Sequence, residues 1–123
     1  MSTTQATKVR WNDLPRERMG EKLERRYVTA QHLTLAQFFL EKGCLIPKHV
    51  HESEQFANVV SGCLRFRLGD SGDDVVDVAA GEVLLIPSNL PHSAEVLEDS
   101  VVFDSFSPVR ADWIAQRDDY LRR

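Results

Sequence analysis

A chain of 123 residues suits one domain with a modest core and leaves no room for two independent ones. Its hydrophobic share of 42% and charged share of 28% exclude a disordered or fibrous protein, and its net charge of −4 excludes the basic field that a nucleic-acid partner needs. The longest apolar runs, such as Val83-Leu84-Leu85-Ile86-Pro87, fall far short of the roughly 20 residues of a membrane span, so no membrane partner is expected.

The opening Met1-Ser2-Thr3-Thr4-Gln5 lacks a basic flank followed by an apolar stretch, which predicts a cytoplasmic protein rather than a secreted one. In that compartment Cys44 and Cys63, which lack CxxC spacing, are expected as buried thiols and not as a disulfide. Residues 1–20 are polar and mixed in charge, and read as an N-terminal arm able to order by adding an edge strand. Residues 21–123 carry the domain. From about Arg26 onward, short β-rich runs separated by turn signals predict an all-β sandwich or barrel.

Leu64, Phe66 and Leu68 alternate with Cys63, Arg65 and Arg67, so this strand buries the first set and exposes the arginines. Ser61-Gly62 and Asp70-Ser71-Gly72-Asp73 read as hairpin turns. Val75 to Ala79 and Val83 to Ile86 form a second pair of runs, and Ser93 to Leu97 and Val101 to Phe106 a third. Only the tail has helical spacing, with Trp113, Ile114, Arg117, Tyr120 and Leu121 on one stripe.

Three of the four histidines fall in two patterned segments. In the first, Gly43 to Gly62, residues two apart on a strand face the same side, so His49 and His51 aim at one point while Val50 faces away. Gln55 shares their parity and Glu54 does not, which favours the amide oxygen as a ligand over that carboxylate. In the second, Gly81 to His92, a glycine turn, a buried strand and a proline-bounded turn carry His92 across to the first pair. Three nitrogens and one oxygen converging on a point suit one divalent ion such as Zn, Ni, Mn or Fe. His32 lies outside both patterns and reads as a surface or packing histidine.

These two segments resemble the paired cupin motifs: a first with glycine, an HxH pair, glutamate and glycine, and a second with glycine, proline, glycine, histidine and asparagine. Gln55 stands where the general motif has glutamate, Asn89 where it has glycine, and Val96 where it has asparagine. The resemblance implies a single-domain cupin, an all-β double-stranded β-helix or jelly-roll barrel, here with a short C-terminal helix. The missing glutamate charge disfavours the oxygen-activating chemistry common among cupins.

Further on, Val102, Asp104 and Phe106 share one strand face and Val101, Phe103 and Ser105 the other. Two readings of Asp104 stay open, an outward carboxylate on a surface strand or an inward one beside a metal. Ser107-Pro108 reads as a helix N-cap followed by the first helical position, which puts Arg110 in the first turn, where a cation opposes the helix dipole. A nearby anion would account for it, either a substrate carboxylate or a neighbouring aspartate.

The Asp-x-Phe-x-Pro-x-Arg order behind a glutamine-substituted first motif is similar to the KdgF type of cupin, which linearises unsaturated uronates in pectin and alginate degradation. That resemblance implies a metal held by His49, His51, Gln55 and His92, and a pocket lined by Asp104, Phe106 and Arg110. It further implies Asp104 as the proton carrier, Arg110 as anchor of an unsaturated sugar acid through paired donors, and Phe106 as an apolar wall. A homodimer joined at strand edges is the assembly it suggests. A non-catalytic sugar-acid or metal sensor and a cupin dioxygenase are the rival readings.

Overall fold

The computed structural model describes residues 5–122. After a 3-10 turn at Trp11–Asp13 come eight strands: β1 (Glu17–Gly20), β2 (Leu23–Thr29), β3 (Thr34–Leu40), β4 (Leu45–His49), β5 (Glu54–Leu68), β6 (Asp74–Ala79), β7 (Val83–Ile86) and β8 (His92–Ser107). One helical turn, α1 (Ala111–Ile114), follows. The strands pair antiparallel in the order β1-β2-β3-β8-β5-β6, with β4 added on β8 and β7 on β5. The all-β architecture with a short C-terminal helix read from the sequence is the one observed. The sheet begins inside the segment read as an arm, because Met19 of β1 is buried in the core.

The two long strands organise everything else. The first half of β5 lies between β7 and the end of β8, and its second half between β6 and the start of β8. Period-two alternation sends Gln55, Ala57, Val59, Leu64 and Phe66 of β5 inward, together with Val102, Asp104 and Phe106 of β8. Burying a Phe66 or Phe106 side chain contributes about 2 kcal/mol, and Phe38 and Ile86 complete the same interior from β3 and β7.

Five expectations change here. Ser61-Gly62 is not a hairpin turn: β5 runs through it, with register shifts against β8 between Val59 and Cys63. Gly62 has φ +87°, and a Cβ there would come within 2.4 Å of the Asp99 carbonyl, so the glycine bends a strand whose partner crosses close behind it. For the same reason the runs at Ser93 and Val101 join into one strand, β8, bent around that point. β7 is buried on one side only, with Val83 and Leu85 exposed. The tail is a single helical turn, because Gln116 adopts φ +58° and ends it. Trp113 and Leu121 are buried, while Ile114 and Arg117 point to solvent. Pairing of β8 with β3 and β5 continues to Phe106 and Ser107, so the helix starts at Ala111 and Arg110 takes its N-cap position.

Leu64 and Phe66 are buried with Arg67 exposed, and Asp70-Ser71 turns β5 into β6, as expected, whereas Leu68 and Arg65 are half-buried. No disulfide joins Cys44, which is buried, to Cys63, which is half-buried.

Candidate metal centre

Register puts the candidate ligands together. His49 closes β4 directly opposite His92, which opens β8. Gln55 sits in β5 opposite Phe106 and two residues before Ala57, the partner of Asp104. Ala36 flanks Asp104 on the other side, so small side chains leave room around the carboxylate. His51 lies beyond the end of β4, in the loop before β5, so strand parity alone does not place it. A brace does: the Asn89 N–H donates to the His51 carbonyl at 2.9 Å. Asn89 has φ +62°, a conformation asparagine tolerates better than most residues, which is why it can stand where the motif has glycine.

The tautomers follow from the backbone. Nδ1 of His49, His51 and His92 faces the carbonyl of Pro47 at 2.9 Å, Ser53 at 2.8 Å and Leu90 at 2.8 Å. A carbonyl only accepts, so each Nδ1 carries the proton and each Nε2 keeps a lone pair. One ring nitrogen from each of the three lies within 4.8 Å of the others. Burial first, then the positive charge of neighbouring groups, pushes the pKa of His49 down to about 3 and of His51 to about 4, and burial lowers His92 as well. The three imidazoles are therefore neutral at physiological pH, as metal ligands must be.

Two observations test whether a cation fits. His92 Nε2 is buried without a hydrogen-bond partner among the described residues, although an unmade buried hydrogen bond costs about 1–3 kcal/mol. The His51 Nε2 lone pair faces Gln55 Oε1 at 3.1 Å, where the oxygen offers only lone pairs of its own. Two electron donors at that separation would suit neighbouring ligands of one cation, since bonds of roughly 2.1 Å set ligands about 3 Å apart. The donor set of three imidazoles and one neutral amide fits a borderline divalent ion.

Asp104 faces inward, 9% exposed, and its Oδ1 has no partner among the described residues. Burial raises its pKa to about 7, against the opposing effects of the Gln55 amide and the Arg110 charge. Phe106 packs edge-on against His51 at 5.6 Å between ring centres. Arg110 is 2% exposed, with its guanidinium 4.7 Å from the Phe106 ring centre and 4.5 Å from that of Trp113. The paired donors implied for a substrate carboxylate are engaged otherwise: Nε and Nη2 donate to the two Asp112 oxygens, and Nη2 also to the Tyr120 hydroxyl. Of the two anions considered for Arg110, the neighbouring aspartate is the one in contact.

Sequence reading missed three residues of this site. Ser53 is buried and its hydroxyl donates to the Pro108 carbonyl, fastening the ligand loop to the segment that carries Arg110. Trp113 and Tyr120 line the cavity with His49, His92, Asp104 and Phe106; both were read as helix-stripe residues, and nothing local in their spacing signals a site. His32 is exposed, in the turn before β3, and is not among the three histidines that cluster.

Residues 37–104 match the Cupin domain family, and the chain belongs to the cupin family. It is 28% identical over 106 residues to the pectin degradation protein KdgF of Dickeya dadantii (strain 3937), spanning 84% of this chain and 94% of that protein. The structure of KdgF from Halomonas sp. superposes with a TM-score of 0.75 at 25% identity, over 84% of this chain and 95% of that one. An RmlC-like cupin from Shewanella frigidimarina NCIMB 400 matches in fold with a TM-score of 0.79 at 22% identity, over 89% and 96% of the two chains. The protein is thus a KdgF-like cupin with a three-histidine site able to hold a metal.

Proposed function

We propose that this cupin opens 4,5-unsaturated monouronates to 5-keto-4-deoxyuronates in pectin or alginate breakdown. The ring-opening is an isomerisation: the C1–O5 bond breaks, C1 becomes an aldehyde, the C5 oxygen becomes a ketone, and one proton moves from the C1 hydroxyl to C4. The reaction needs a group that takes and returns a proton, a support for charge at the C5 oxygen, and a hold on the C6 carboxylate.

One observation carries the reading. Asp104 keeps a buried oxygen with no partner among the described residues, in the cavity that His49, His92, Phe106 and Arg110 also line. A carboxylate in that position can accept the C1 hydroxyl proton and deliver it to C4. His49, His51, Gln55 and His92 would hold the divalent ion, which when bound supplies Lewis acidity toward the carboxylate and the C5 oxygen. Phe106 gives the ring an apolar wall, and Arg110 supplies the positive charge opposite the carboxylate.

The test follows the ultraviolet absorbance of the conjugated unsaturated acid, from pectin and from alginate, with protein loaded with Zn, Ni, Mn or Fe. Turnover removes the absorbance without oxygen uptake, and Asp104→Asn retains its metal but loses most of the rate. Saturable binding with unchanged absorbance would mean a sugar-acid sensor, and oxygen consumption would mean a dioxygenase. An Asp104→Asn variant that matched the wild-type rate would remove the proton-transfer assignment.

A further inference from the structure

The C-terminal segment lines the site through Tyr120 and Leu121 and puts a polar atom beside it. The Tyr120 ring stacks on His49, 4.4 Å between centres and 23° between planes. Its hydroxyl oxygen accepts a hydrogen bond from Arg110 Nη2 at 2.5 Å. The Trp113 indole N–H is buried without a hydrogen bond among the described residues, in the wall of the same cavity that Tyr120 lines. One cationic donor on the phenol oxygen and one unpartnered neutral donor in the same small cavity therefore surround an oxygen that the protein itself supplies. Two donors around one oxygen are the arrangement a carboxylate oxygen takes.

Tyr120, Leu121 and Ile46 also form the partition between two cavities. The inner one, with His49 and Asp104 in its wall, has about 40 Å³, on the order of one water. The outer one has about 340 Å³ and opens beside Lys22 and Gly43. Small-molecule sites run to roughly 300–1,000 Å³, so a hexuronate reaches Asp104 only if the partition moves. The segment that carries Tyr120 and Leu121 is tied down by Asp118, 2.7 Å from Arg25, and Gln116, at positive φ, marks where it leaves the helical turn.

We propose that the Tyr120 hydroxyl occupies the seat of a ligand carboxylate oxygen between Arg110 and Trp113, and that a uronate displaces residues 116–122 and joins the two cavities. The choice of a uronate rests on the function proposed above; the seat itself asks only for a carboxylate. Tyr120 and Trp113 are then ligand-contacting residues, and Tyr120 is an internal competitor of the ligand.

Galacturonate, which carries the carboxylate but lacks the double bond, is the probe, with galactose as the neutral control. Tyr120→Phe removes the competing hydroxyl and is expected to bind galacturonate roughly ten-fold more tightly than the wild type, with galactose unaffected. In a Trp11→Phe background Trp113 is the sole tryptophan, and galacturonate is expected to change its emission and its quenching by acrylamide. Galacturonate binding that is absent, weakened or unchanged in Tyr120→Phe overturns the proposal, as does a Trp113 signal that ignores galacturonate. Should Tyr120→Phe fail to fold, the Trp113 signal decides, because it reads the native tyrosine. Tighter galacturonate binding without turnover of the unsaturated acid would remove the ring-opening function and leave the seat; turnover without tighter binding would do the reverse.

Discussion

Arg110 turns the edge of its guanidinium to Asp112, with Nε 3.0 Å from Oδ1 and Nη2 2.8 Å from Oδ2. The pair lies two residues apart in sequence, so Asp112 fixes the plane of the guanidinium and offsets part of its charge before a ligand arrives. Nη1 is the nitrogen with no hydrogen bond to any described residue that could meet a carboxylate without rearrangement.

Arg110→Ala is therefore expected to raise KM for an unsaturated uronate by about ten-fold or more, with a smaller change in kcat. It also removes the stacking on Phe106 and Trp113, worth about 1 kcal/mol of stability. Arg110→Lys restores the charge without the planar fork and should recover only part of the affinity. Steady-state kinetics on the folded variants decide, and an unaltered KM in Arg110→Ala would end the anchoring role.

Metal binding gives the second prediction. Wild-type protein titrated with a divalent ion should melt at a higher temperature, because a ligand at 100 times its Kd stabilises by about 2.7 kcal/mol. His92→Ala should abolish both the shift and the stoichiometric metal measured by elemental analysis. His32→Ala, at an exposed turn, should alter neither. Equal metal content in His92→Ala and wild type would show that the cluster is not the binding site.

What the sequence disclosed and what it hid divide along the range of the interactions. Strand parity is local, so the inward Gln55, the outward Glu54, and the buried Leu64 and Phe66 were all legible. Gly62 was not, because a glycine in a bent strand and one in a hairpin have the same local signature, and the partner that decides lies at Asp99 and Ser100. Tyr120 was hidden more deeply. Its place in the site depends on Gln116 breaking the helix and on Asp118 reaching Arg25, 93 residues away in sequence.

Gly62 and Gly81 separate close approach from backbone conformation. Both have positive φ, +87° and +86°, but a Cβ at Gly62 would meet Ser100 Oγ at 2.1 Å and the Asp99 carbonyl at 2.4 Å, whereas at Gly81 nothing lies within 4 Å. Gly81→Ala should cost about 1 kcal/mol from the backbone alone. Gly62→Ala should cost roughly 3 kcal/mol or more, because β5 or β8 has to shift. Urea denaturation of the two variants measures the difference, and equal losses would mean that the approach of the two strands does not matter.

The last prediction concerns the tie that holds the C-terminal segment. Asp118 is fully buried and receives hydrogen bonds from Arg25 at 2.7 Å and Arg122 at 3.1 Å. Burial alone would raise its pKa, but the two arginines more than reverse that, and the net shift is downward. A carboxylate with a lowered folded-state pKa stabilises the fold fully above its unfolded value of about 3.9 and loses that contribution as the pH falls toward the folded value. Asp118→Asn leaves Arg25, itself 1% exposed, with Glu17 as its remaining carboxylate partner at 3.1 Å. The variant should be about 3 kcal/mol less stable at pH 7, and its stability should fall less steeply than that of the wild type between about pH 5 and pH 3. Urea midpoints across that range test both statements; parallel acid limbs would mean that Asp118 is not the group whose protonation loosens the fold.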